Sequence, residues 1–310
     1  MKETNFNVFA EQLREKLYQK FGRDAKIDIH ETFRNNGVHY HAVAILQKGN
    51  NISPNIRLDN FYRSYLEGID LGEIAEEIAD IYDRAEKENV DLSFVSDFAK
   101  AKSSILLKVV GYEKNKERLK VIPHIKFMDL ALTFYFYIEG GIGENASVQI
   151  ENSHLEMWNI SEGELYDLAV ENTRRRMPVK IDNICDIIIA ILKKDGVEPS
   201  PKVVAEFRRE SRGIPMYVLT NRQNYFGASV IYYPGVLRRI AQRIHSDLII
   251  LPSSIHEVIL LPADGTEDAD ALNEIIVDVN RSQVEEEEVL SDHFYYYDLE
   301  RDELRMPAGY

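Results

Sequence analysis

The fold class of this chain is decided by Ala25-Lys26-Ile27-Asp28-Ile29-His30-Glu31-Thr32-Phe33-Arg34, Asn35-Asn36-Gly37 and Val38-His39-Tyr40-His41-Ala42-Val43-Ala44-Ile45-Leu46. Apolar and polar residues alternate on both sides of the Asn-Asn-Gly, which is the period-two signature of paired strands. Asn-Gly tolerates positive φ at both positions and favours a two-residue hairpin turn. With Asn36-Gly37 in the turn, Ile27, Ile29, Phe33, Tyr40, Ala42 and Ala44 share the core face.

Working outward, Phe6, Phe9, Leu13, Leu17 and Phe21 recur every three or four residues, so an amphipathic helix precedes the hairpin and stops near Gly22. An extended segment, 52–58, follows it; Pro54 confines that segment to an edge or a loop. Helices are expected over 59–66 and 70–87, the second with Leu71, Ile74, Ile78 and Ile81 on one side. Residues 1–92 therefore read as a helix–hairpin–helix module.

Strands are expected at 105–112, 130–138 and 147–150, then helices at 162–175 and 183–194. Gly196 and Pro199-Ser200-Pro201 suggest a linker. The last third reads as strands at 216–220 and 226–233, a helix at 236–244, strands at 248–251 and 256–261, a helix at 269–280, and a strand pair at 293–299 and 303–306. The class is α+β, with modules over 1–92, 93–198 and 199–310, the last two being one domain or two.

The 310 residues are 45% hydrophobic, so a substantial core can form without staples. A net charge of −15 repels phosphate backbones and anionic lipid, which argues against nucleic acid or a membrane surface as partner. The single cysteine, Cys185, excludes an internal disulfide and any Cys-rich metal site; it sits in an apolar run and reads as a small buried hydrophobe. No apolar leader follows Met1, and charge-free runs are too short for a bilayer, so a cytoplasmic protein is expected.

Three groups carry candidate chemistry. His30, His39 and His41 fall on one polar hairpin face under the Asn-Gly register, the residue type for zinc or nickel, although His39 and His41 stand about 7 Å apart and Arg34 opposes a cation. Ser253, Ser254, His256 and Glu257 invite a hydrolase reading, with His activating Ser and a carboxylate orienting His. Against it, Glu257 points away from His256 in a strand, and the Gly-x-Ser-x-Gly elbow is absent. Tyr295, Tyr296 and Tyr297, with Tyr232 and Tyr233, offer an aromatic interaction face, half of it buried by strand alternation. Arg174-Arg175-Arg176 complement the end of a helix. Glu285 to Glu288 lack the ligand spacing and glycine of a calcium loop. Gly140-Gly141-Ile142-Gly143 follows a strand but opens no helix and reads as a hairpin loop. No phosphate-binding loop occurs, and no cofactor is expected.

Asn51-Ile52-Ser53-Pro54-Asn55-Ile56-Arg57-Leu58 with Phe61-Tyr62, Leu251-Pro252-Ser253-Ser254-Ile255-His256-Glu257 and Val289-Leu290-Ser291-Asp292-His293 resemble an uncharacterised domain-of-unknown-function family of gut Clostridia. The order of elements, Ile122-Pro123, the helix ending at Met177-Pro178 and the segment 248–261 are similar, more distantly, to the YtpQ-type family of Firmicutes. The resemblance spans nearly the whole chain and implies a cytoplasmic bacterial protein. It brings no assigned activity, so no site residue is carried over. The expected function is a non-catalytic protein-binding or chaperone-like factor, its partner another protein met through Tyr295 to Tyr297. The alternative is a hydrolase or metal-dependent enzyme centred on Ser253-Ser254-Ile255-His256-Glu257 or on the three hairpin histidines.

Overall fold

The computed structural model describes residues 2–51, 53–84, 95–138, 146–210, 215–263, 265 and 268–307. The class is α+β, with three antiparallel sheets. The chain divides into two compact units, Met1–Asp97 with Tyr137–Val148, and Phe98–Phe136 with Gln149–Tyr310.

In the first unit, α1 (Lys2–Phe21) precedes β1 (Lys26–Phe33), β2 (His39–Leu46), β3 (Ile56–Arg57), α2 (Asp59–Leu66) and α3 (Leu71–Arg84). The sheet order is β1-β2-β3, so the Pro54-containing stretch yields only a two-residue edge strand. Phe9, Leu13 and Leu17 of α1 are fully buried, as their spacing requires. Burying each such side chain contributes roughly 1.5–3 kcal/mol. On α3 the buried stripe is Ile74, Ala75, Ile78 and Tyr82, while Ile81 is exposed. Tyr82 replaces Ile81 because its ring meets Phe21 at 5.0 Å.

The hairpin register differs from the Asn-Gly expectation by one residue. Lys26 pairs with Leu46 and Phe33 with His39, and the loop closes with Arg34 N–H donating to the Val38 carbonyl at 2.7 Å. Three residues, Asn35, Asn36 and Gly37, span the turn, with Asn36 at φ 61° and Gly37 at φ 71°. Because side chains alternate, a one-residue slip sends one strand's residues to the opposite face. Val43 and Ile45 therefore join Ile27 and Ile29 in the core with α1 and α3. Tyr40 and Ala42 occupy the other face, where the guanidinium groups of Arg34 and Arg57 lie over the Tyr40 ring.

The second unit runs through α4 (Phe98–Ala101), β4 (Ile105–Gly111), α5 (Lys116–Leu119), β5 (His124–Phe127), β6 (Leu130–Ile138), β7 (Ala146–Gln149), α6 (Asn152–Trp158), α7 (Glu162–Arg176), β8 (Val179–Asn183) and α8 (Ile184–Lys194). It continues with α9 (Pro201–Glu210), β9 (Tyr217–Asn221), α10 (Val236–Ile244), β10 (Asp247–Leu251), β11 (Val258–Ala263), α11 (Ala269–Gln283), β12 (Tyr295–Asp298) and β13 (Glu303–Arg305). The last residues of β6 and most of β7 fall in the first unit's contact cluster.

One sheet has the order β4-β6-β5, with β7 paired to β6; the other has six strands in the order β13-β12-β10-β11-β9-β8. Since β8 precedes residue 198 and pairs with β9 beyond it, the middle and last modules share one sheet. The Pro-Ser-Pro stretch does not stay a linker. Proline is favoured at the first helical position, and Pro201 opens α9 while the Ser200 hydroxyl accepts from Val203 N–H at 3.3 Å. Ser161 and Glu164 form a capping box at the start of α7, and those bonds hold the Glu164 carboxyl below the ordinary range.

The expected strand at 226–233 is a 3-10 turn over Gly227–Tyr232. Phe226 adopts φ 49°, which ends extended structure, and Gly227 sits so close to Thr220, the His256 carbonyl and Asn221 N that a Cβ would stand 2.5 Å from that carbonyl. Residues 140–143, expected as a hairpin loop, lie outside the described residues. No helix among the described residues is long and apolar enough to cross a membrane.

Candidate functional site

The three hairpin histidines do not converge. His30 pairs with Ala42, so it shares a face with Tyr40, whereas His39 and His41 pair with Phe33 and Glu31 on the opposite face. His41 packs against the Phe6 ring at 3.7 Å, His30 meets Asp28 at 3.1 Å, and His39 meets Glu31 at 3.6 Å. Each imidazole has its own neighbour, and among the described residues no group of three metal-ligating side chains assembles.

Ser253 to Glu257 join β10 to β11, and the serine serves the backbone. Ser254 N–H donates to the Glu257 carbonyl at 3.1 Å, and Ser254 Oγ accepts from the main-chain N–H of His256 at 3.0 Å. The His256 ring is used elsewhere. Its Nδ1 accepts from Phe226 N–H at 3.1 Å, which puts the proton of the neutral ring on Nε2, 3.6 Å from Glu288 Oε1. The ring stacks on Phe226 with centroids 5.5 Å apart, near Tyr225 at 5.8 Å. Lys108 Nζ stands 4.9 Å from the Phe226 centroid.

Burial pushes the His256 imidazole below its ordinary value, outweighing the pull of Glu288, Glu257 and the Asn224 carbonyl toward the charged form; Lys108 adds to the lowering. A His–carboxylate pair is thus present, but the hydroxyl that would act as nucleophile bonds the histidine's backbone and not its ring. In the alternative hydrolase reading of this segment, Ser254 is not set against the His256 ring.

The aromatic interaction face is also displaced. Tyr295 and Tyr297 are buried at 0% and 3% exposure, because they share the covered face of β12 while Tyr296 lies on the other. Tyr295 donates to Asp129 Oδ1 at 2.8 Å, Tyr296 donates to Asp247 Oδ2 at 2.6 Å, and Tyr297 bonds Asp302. Tyr296 and Tyr232 are half-exposed, and Arg305 covers the Tyr296 ring at 4.7 Å. Tyr233 is buried and donates to the Met177 carbonyl at 3.2 Å.

Sequence reasoning missed the role of Asp129. Its carboxylate accepts from Ser291 Oγ at 2.5 Å and from Tyr295, far along the chain, and the Tyr232 hydroxyl is buried nearby without a hydrogen bond. Burial, aided by the Asp129 charge, holds the Tyr232 and Tyr295 hydroxyls well above the ordinary range. No local pattern announces this cluster.

It also missed an open groove of about 750 Å³ between α10 and one face of the six-stranded sheet. Ile181, Tyr217, Ile240, Ile244, Pro215 and Pro262 give it an apolar lining, while Arg239 and Arg243 supply its charge. The two arginines are one helical turn apart and exposed, and no carboxylate among the described residues pairs with either. The helical pattern of 236–244 was legible; its facing a sheet across an open space was not.

A family model described as a family of unknown function, DUF5688, matches residues 6–299. No curated protein and no solved structure matches the chain.

Proposed function

The chain belongs to the DUF5688 family of unknown function, and we propose that it is a binding protein whose groove beside α10 takes an extended, acidic and apolar segment of a partner protein. One observation carries the reading: in a chain of net charge −15, two arginines without carboxylate partners among the described residues flank an apolar groove. Arginine suits such a role because its planar guanidinium forks onto a carboxylate through two parallel N–H donors. The apolar lining takes the side chains between the acidic residues and supplies most of the favourable energy, while the arginines fix register and steer encounter. The bacterial, cytoplasmic setting and the likeness to YtpQ-type proteins belong to this reading; the lone, buried Cys185 is in keeping with a reducing compartment.

Fluorescence anisotropy with a labelled peptide of alternating glutamate and leucine tests it. The acidic peptide is expected to bind with an affinity that falls as salt rises, and the Lys–Leu counterpart is not. Arg239→Glu combined with Arg243→Glu should weaken the acidic peptide at least ~10-fold, a loss of about 1.4 kcal/mol. Equal binding of both peptides, or an unaffected double variant, would remove the groove from consideration.

A further inference from the structure

Protein sheets protect their edges, and the second unit does so at β4, β5 and β13. At β4, Leu107 N–H donates to Thr173 Oγ1 at 2.8 Å, and Asn172 Nδ2 donates to the carbonyls of Lys102 and Ile105 at 2.6 and 3.0 Å, so α7 covers that edge. At β5, His124 N–H donates to Glu162 Oε1 at 2.6 Å. β13 is only three residues long. The edge at β8 is different: all five of its residues are half-exposed.

The ladder fixes which main-chain groups of β8 are open. Arg222 N–H donates to the Pro178 carbonyl and Ile184 N–H donates to the Met216 carbonyl, so even-numbered residues face β9. Antiparallel geometry then turns the N–H and C=O groups of Val179 and Ile181, and the N–H of Asn183, outward, while the Asn183 carbonyl opens α8.

From this we infer that β8 pairs with β8 of a second copy of this chain, antiparallel about a two-fold axis at Ile181, joining two six-stranded sheets into one. The register matches at every position. Val179 lies opposite Asn183 of the partner subunit and Ile181 opposite the partner's Ile181, so the two Ile181 residues exchange both bonds and each Asn183 N–H meets a Val179 carbonyl. Lys180 falls opposite the partner's Asp182 and Asp182 opposite the partner's Lys180, in the non-hydrogen-bonded pairs where side chains stand closest. In one chain Lys180 and Asp182 already meet at 3.1 Å, so the pairing closes a ring of four alternating charges. Charges on an edge strand repel most incoming strands; these two are complementary to themselves in this single register.

The helix beside the strand supports the same occupant. On the Lys180–Asp182 face, Ile187, Ala190 and Ile191 of α8 line an open hollow of about 360 Å³. α8 carries five isoleucines and a leucine, yet Cys185 is its one buried residue, and Ile188 and Ile191 are exposed at 37% and 53%. A surface helix this apolar is an interface element. Asp186 near its start and Lys193 and Lys194 at its end give it ends of opposite charge, which two antiparallel copies bring together.

Sedimentation equilibrium of the full chain tests the inference, with twice 35.8 kDa expected at micromolar concentration. Ile181→Pro removes the central outward N–H without touching the β9 ladder and should give the monomer mass. Lys180→Asp sets aspartate against aspartate and should weaken the dimer at least ~10-fold, while Lys180→Asp with Asp182→Lys reverses every pair and restores it. A monomer for the unmodified chain, or a dimer indifferent to both single changes, overturns the inference. The groove reading stands apart, since Arg239→Glu with Arg243→Glu should leave the mass unchanged.

Discussion

At the residue scale, His256 shows how a conspicuous polar side chain is absorbed by structure. Its ring closes the turn before the 3-10 segment through Phe226 N–H, and burial lowers its proton affinity. A histidine whose folded value lies below the unfolded one near 6.5 is protonated preferentially in the unfolded chain. Its contribution to stability is therefore complete above that value and is lost as the pH falls through the folded one. His256→Asn keeps an acceptor near Nδ1 and removes the titration. The stability difference between wild type and this variant, from urea titrations, should favour wild type at pH 7 and shrink toward pH 5. A gap that widens on acidification would mean the ring is charged in the folded protein. The Ser–His–Glu triplet was legible as a string; its roles were not, because they depend on Phe226 and Glu288, which lie 30 and 32 positions away.

At the element scale, the hairpin carries the lesson. Alternation located both strands to within a residue or two, and the spacing of Phe6, Phe9, Leu13 and Leu17 located α1. The turn has two solutions, a two-residue and a three-residue loop, and the difference between them decides which residues meet α1. The three-residue loop prevails because it buries Val43 and Ile45 against α1 and α3, whereas the tighter turn would have turned both side chains away from that core. Asn36 supports the loop at φ 61°, a conformation that costs most L residues about 1–2 kcal/mol. Asn36→Ala should lower the unfolding free energy by about 1 kcal/mol or more in chemical denaturation, and Asn36→Gly by less. If alanine proves harmless, the left-handed residue is not what sets the register. The strand expected at 226–233 failed for a related reason: its apolar residues are buried all round in a 3-10 turn, a pattern periodicity cannot separate from a core strand.

At the scale of the whole molecule, the excess of acidic residues governs behaviour in solution. A net charge of −15 repels itself in the compact state, while the exposed ion pairs on the surface each contribute little. Repulsion is the larger of the two, so raising sodium chloride from low concentration to about 0.3 M, where screening acts over roughly 6 Å, should raise the Tm by a few degrees in a thermal melt. A falling Tm would show that ion pairs outweigh the repulsion. The amino-acid sequence by itself determined the α+β class, most helices and strands and the buried Cys185, because periodicity, capping and composition act over a few neighbouring residues. Tertiary structure alone decided the hairpin register, the burial of Tyr295 and Tyr297, the joining of β8 to the last strands and the groove beside α10. Each of those depends on which distant surfaces gain most by excluding water together, and no local pattern encodes that choice.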